Sequence, residues 1–152
     1  DYYNDVKLTM VGPDKDGSLK KCSKLSKKYK LNQKVEFLGY LRKMEWIKIA
    51  RDHDIFINTS TVDNMPVSIL EMMALGLPII STNVGGIPFI LENRKNSLLV
   101  ENNDHKSMAS SVRHLINEPN YAFKISMNAL NSLKPFSAEV VVPQWIKIIK
   151  TV

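Results

Sequence analysis

Between Asn58 and Gly86 the chain reads NTSTVDNMPVSILEMMALGLPIISTNVGG, and no other stretch limits the fold so tightly. A short apolar run over 55–57 feeds a polar loop containing Asp63, Asn64 and Met65, after which Pro66 opens an almost wholly apolar segment ending at Gly76. The order is strand, loop, helix. Proline suits the first helical position, because its φ is already helical and it has no amide hydrogen to leave unpaired. Met65 before it is a poor capping side chain, so the amides of Val67 and Ser68 need another acceptor. Water fills that place in an ordinary buried helix. The other occupant is a phosphate, since a helix start beside a strand's carboxyl end offers aligned N–H groups and a partial positive charge.

Glu71 favours a ligand. It is the only charged side chain over 67–77, and its neighbours one turn away are Val67, Ser68, Ala74 and Leu75. A carboxylate there is costly unless it reaches water or a partner, and a donor of hydroxyl groups would serve.

Asp63 and Glu71, with seven residues between them inside DNMPVSILEMMALGLPIISTNVGG, resemble the acidic-x7-Glu signature of family-four glycosyltransferases of the GT-B fold. The likeness extends through KLTMVG at 7–12, VEFLGY at 35–40 and NSLLV at 96–100, and is specific as an ensemble. It implies that Glu71 holds the ribose of a nucleotide-sugar and Asp63 the hydroxyls of the transferred sugar. It implies also that the loop Asn64, Met65 and Pro66, with the amides of Val67 and Ser68, receives the diphosphate and sugar, and that the base lies near Tyr40 and Leu41. Three positions depart from the family pattern. Asp63 stands where Glu is more familiar, Asn64 where Gly is frequent, and Phe89 where Glu usually follows the glycine pair.

The chain has 152 residues, enough for one compact domain with a core, and its 44% hydrophobic and 24% charged residues are ordinarily globular. No apolar run approaches the length that spans a bilayer, and the opening DYYNDVK does not read as a signal peptide. One cysteine, Cys22, forms no internal disulfide and lacks a cysteine partner for zinc, so it reads as a packing residue in a reducing, cytoplasmic location. His53, His105 and His114 show no metal-ligand spacing and read as surface or capping residues.

The net charge of +6 is uneven: residues 13–48 hold eleven of the 21 Lys and Arg but four of the 15 acids. Lys20, Lys21, Lys24, Lys27 and Lys28 share one side of an expected helix, with Leu19, Cys22, Leu25 and Tyr29 on the other. This face is either a solvated cover over a sheet or, through Lys20, Lys24, Lys27 and Lys28, a contact for an anionic membrane surface, which would place the protein peripherally at the inner leaflet. Nucleic acid is disfavoured, since no nucleic-acid motif or interleaved aromatic array occurs.

Strands are expected over 7–11, 35–38, 55–58, 78–81 and 97–100, and helices over 18–29, 44–51, 66–75, 87–91 and 105–117. This alternation predicts an α/β fold: a Rossmann-like, mostly parallel sheet of about five strands with helices on both faces. The tail continues helically over 120–133 and 140–152, with Asp104 capping the helix before it and Pro143 starting or kinking the last helix. The apolar side of that helix, Trp145, Ile146, Ile148 and Ile149, either docks on the domain or, as the family likeness implies, turns toward another domain.

The resemblance further implies that 1–152 is one domain, a partial carboxy-terminal donor-binding domain. The acceptor-binding amino-terminal domain, the first strand of the donor domain and a basic pair after it are absent from this sequence. Loss of that strand should either let 7–11 pair with 55–58 or leave a slot filled by a second chain in a strand-mediated dimer. The implied activity is retaining transfer of a sugar from a nucleoside diphosphate sugar to a hydroxyl acceptor, in cell-surface polysaccharide or glycolipid synthesis. No cofactor or metal is expected, the partner is the donor, and this piece alone is expected to be inactive. The alternative is a non-catalytic nucleotide-sugar or anion binding module of the same fold.

Overall fold

The computed structural model describes residues 5–151. The chain divides into two compact units, 1–49 and 50–152. In the first, β1 (Leu8–Val11) pairs in parallel with β2 (Val35–Gly39), joined through α1 (Ser18–Lys28). Helix α2 (Lys43–Ala50) follows, all but its last residue within this unit, and Glu45 caps its start by accepting the Arg42 amide at 2.8 Å.

The second unit holds a three-stranded parallel sheet in the order β3 (Phe56–Asn58), β4 (Ile79–Thr82), β5 (Leu98–Val100). Helix α3 (Val67–Ala74) connects β3 to β4, and a short 3-10 turn (Ile87–Phe89) lies between β4 and β5. Then come α4 (His105–Asn117), α5 (Pro119–Ser132), a second 3-10 turn (Lys134–Phe136) and α6 (Ala138–Thr151). All four β4 residues are buried, as befits a central parallel strand covered on both faces. Ile80 and Leu98 pack with Leu115 of α4 and Ile125 of α5, and Met108, Val112 and Tyr121 close around them. Asp104 caps α4 as the sequence predicts, its Oδ1 accepting the Ser107 amide at 3.0 Å, and Pro119 opens α5.

The α/β class, the parallel strands and their number agree with expectation, but the strands form two sheets of two and three. The expected pairing of 7–11 with 55–58 is not made: β1 takes β2 as its hydrogen-bonded neighbour, and β3 takes β4. Each strand pairs with a neighbour in chain order, as consecutive parallel strands commonly do.

Two local expectations shift, and two that were left open are narrowed. Pro66 is not the first helical residue, since its ψ of 102° is extended; it stands one position before α3 without a side-chain cap, and its carbonyl accepts the Ile69 amide at 3.0 Å. Of the two roles expected of Pro143, starting the last helix is excluded: the helix begins five residues earlier at Ala138 and Pro143 lies inside it. On α1 the covered stripe is rotated: Ser26 is buried and Leu19 and Cys22 half-buried, while Leu25 and Tyr29 lie exposed. The apolar side of α6 is exposed rather than docked, with Trp145, Ile146, Ile148 and Ile149 all open.

Candidate functional site

The carboxyl ends of β3 and β4 lie side by side, and each runs into a loop: 59–66 before α3, and 83–86 before the 3-10 turn. The outer side of such strand ends is where open α/β sheets receive ligands. A ladder of side chains ties the two ends together. Asn58 Nδ2 donates to Ser81 Oγ at 3.0 Å, Ser60 Oγ donates to Asn58 Oδ1 at 2.9 Å, and Thr82 Oγ1 donates to the Ser60 carbonyl at 2.6 Å. One step further out, the Gly86 amide donates to the Asp63 carbonyl at 2.8 Å. The first loop is thus held at two backbone oxygens, one by the end of β4 and one by the second loop.

Inside the first loop, Asp63 is half-buried and its Oδ1 accepts the Met65 amide at 3.2 Å. This Asx-type turn fixes the carboxylate at the loop's crest and spends one of its oxygens locally, leaving acceptor capacity on the other. Asn64, Met65, Val67 and Ser68 are exposed, and Pro66 is buried beneath them. No side chain caps α3, so its first amides face outward with the helix's positive end. Glu71 follows one turn into α3 on the side of Val67 and is half-buried, whereas Ile69, Met72 and Met73 point into the core.

Of the residues singled out from sequence, Asp63 through Ser68 and Glu71 are therefore gathered around one helix start in the second unit. Tyr40 and Leu41 belong to the first unit, directly after β2, with Tyr40 exposed and Leu41 half-buried. The sequence reading missed Ser60, Ser81, Thr82 and the supporting role of the glycine pair. A signal was present: small hydroxyl residues close both strands, and Gly85-Gly86 follows β4. Among the described residues no group of three His, Cys, Asp or Glu converges as a metal cluster. His105 opens α4 on the surface, and the exposed His114 ring lies 5.0 Å from that of Tyr121.

The family model for glycosyl transferases group 1 matches residues 2–132. The chain belongs to this family. The match includes the whole ladder and both acidic residues and stops before α6. Among curated group 1 relatives, the poly(ribitol-phosphate) alpha-N-acetylglucosaminyltransferase of Staphylococcus aureus is 26% identical over 148 residues, which covers 95% of this chain and 29% of that protein. The alpha-monoglucosyldiacylglycerol synthase of Acholeplasma laidlawii is 27% identical over 138 residues, covering 91% of this chain and 34% of that protein. The fold matches the crystal structure of HepE from Anabaena in complex with UDP, with a TM-score of 0.89 at 20% identity over 97% of this chain and 41% of that one. The chain thus spans well under half the length of these relatives. Among the described residues no helix is long and apolar enough to cross a membrane.

Proposed function

We propose that this chain supplies part of the donor site of a retaining glycosyltransferase that moves a sugar from a nucleoside diphosphate sugar to a hydroxyl acceptor, in the synthesis of a cell-surface polysaccharide or glycolipid. The observation that carries the reading is the uncapped start of α3, flanked by the braced Asp63 loop on one side and by Glu71 one turn along on the other. The amides of Val67 and Ser68 receive the diphosphate, Glu71 the ribose hydroxyls, and Asp63 the hydroxyls of the departing sugar. As the glycosidic bond breaks, negative charge grows on the leaving diphosphate. Fixed amides and a helix start stabilise that charge without reorganising, and no step asks for a metal.

Two amides at about 1.5–3 kcal/mol per hydrogen bond to a charged oxygen hold a nucleotide only weakly, so base contacts beyond the α3 start and a second domain complete the site. The exposed apolar side of α6 is where that acceptor domain packs. Support for a nucleotide-sugar donor comes from HepE, whose structures are described in complex with UDP and with UDP-glucose. Calorimetric titration of UDP-, GDP- and ADP-sugars tests the reading, with Glu71→Ala as the control. One base should bind, and Glu71→Ala should weaken it by about tenfold or more, as loss of a charged hydrogen bond does. Unchanged affinity in Glu71→Ala removes the ribose role.

A further inference from the structure

The two glycines after β4 share a neighbour but not a conformation. Gly85 has a φ of +54°, in the left-handed region that side chains avoid. Gly86 has a φ of −86° and a ψ of −5°, which any residue adopts. Backbone preference therefore gives no reason for glycine at 86. Space does: a Cβ built there overlaps the Asn64 carbonyl oxygen and comes within 2.6 Å of the Asn64 carbonyl carbon. A Cβ at Gly85 likewise overlaps the Asp63 carbonyl oxygen and lies 3.0 Å from its carbon. The obstructing atoms are backbone, so no rotamer change relieves the overlap. At Gly76 nothing lies within 4 Å of an added Cβ, so the crowding is particular to the pair under the acidic loop.

We infer that Gly86 is the positioning residue for the acidic loop: its bare backbone lets the 83–86 loop press against Asp63 and Asn64, and its amide pins the Asp63 carbonyl, so the height of the Asp63 carboxylate over α3 is set from the end of β4. The inference rests on the donor-site reading above for its consequence but not for its geometry. Thr82 performs the companion task one step inward, holding the Ser60 carbonyl at 2.6 Å. A methyl group at position 86 has one way out, which is to push the Asp63–Asn64 backbone away and break the Gly86 to Asp63 hydrogen bond. Glu71 and the first amides of α3 belong to the helix and stay where the core anchors them through Ile69, Met72 and Met73.

This division gives a selective readout. Gly86→Ala should weaken UDP-glucose by about tenfold, one charged hydrogen bond's worth, while bare UDP, which has no sugar for Asp63, keeps its affinity. Gly76→Ala serves as the control, because φ is +75° there and the substitution strains the backbone without touching the loop. It should lower thermal stability while leaving the ratio of UDP-glucose to UDP affinity unchanged. Amide exchange of Met65 and Gly86 reports the loop itself: Gly86→Ala should accelerate Met65, whose hydrogen bond to Asp63 depends on the loop's shape. Equal loss of both ligands, or unchanged Met65 exchange, overturns the inference. If the unsubstituted protein binds neither ligand, the donor-site reading fails, and Met65 exchange alone decides whether Gly86 positions the loop.

Discussion

The two units of the chain contain the same parts and achieve different degrees of burial. Both pair parallel strands across a helical connection, and both have short apolar strands. Yet every buried apolar side chain among the described residues, from Ile69 to Ala129, lies in the second unit. Among the described residues of the first unit only Ser26 is buried, and its Oγ has no hydrogen-bond partner. Leu8, Met10 and Val11 of β1 remain exposed. The difference teaches that a strand pair and its crossover do not make a core. Enclosure needs a strand with neighbours on both sides and helices over both faces, which β4 has and which neither strand of a two-stranded sheet can have. It also needs length, because a unit of some fifty residues hides a smaller fraction of its surface than one twice as long.

The strongest way to break this comparison is to divide the chain. Residues 50–152 alone should give helical circular dichroism and a cooperative thermal transition, whereas residues 1–49 alone should give neither. A cooperative transition in the shorter piece would show that its exposed strands suffice. A smaller effect separates single side chains. Ile80→Ala, in the middle of the buried strand, should cost about 2–5 kcal/mol in urea unfolding. Met10→Ala in β1, exposed at the start, should cost about 1 kcal/mol or less. Equal losses would mean that the first sheet is as well packed as the second.

The smallest effect sharpens the contrast through pH. Asp16, before α1, is held below the ordinary carboxylate range by hydrogen bonds from Ser18, and Asp104, at the cap of α4, by hydrogen bonds from Ser107. For a carboxylate whose folded pKa is depressed, the unfolded chain binds protons first as pH falls. Its stabilising contribution is therefore present above the ordinary range and is lost as pH drops through the lowered folded value. Asp104→Asn should flatten the acid side of the global thermal stability profile slightly, because α4 is packed into the core through Leu115. Asp16→Asn should leave that profile unchanged and show only as faster amide exchange in α1. The reverse result would place the cooperative unit elsewhere.

Much of the molecule was legible in the sequence because local rules wrote it. Short apolar runs gave five strands within a residue or two of their observed ends. Asp104 marked the start of α4 by cap chemistry that needs no distant partner. Pro66 was misplaced by one position because proline is at home both as a cap and as the first helical residue, and only ψ tells them apart. The stripe on α1 was misjudged because Leu25 and Tyr29 carry the right period for burial, yet it is the Leu19, Cys22 and Ser26 side that is covered.

What the sequence determined by itself was the order of elements, the parallel α/β class, the uncapped start of α3 and the spacing of Asp63 from Glu71. These follow from periodicity and capping, which act within a few residues along the chain. What only the tertiary structure decided was how the strands divide into two sheets, and which atoms hold the acidic loop in place. Ser60 and Thr82 are 22 residues apart in sequence, and their hydrogen bond exists because β3 and β4 end at the same level. The same alignment brings Gly86 against Asn64, a contact defined by the absence of a side chain. Periodicity leaves no trace of such a contact, because a glycine in a turn and a glycine under a neighbouring backbone are the same letter.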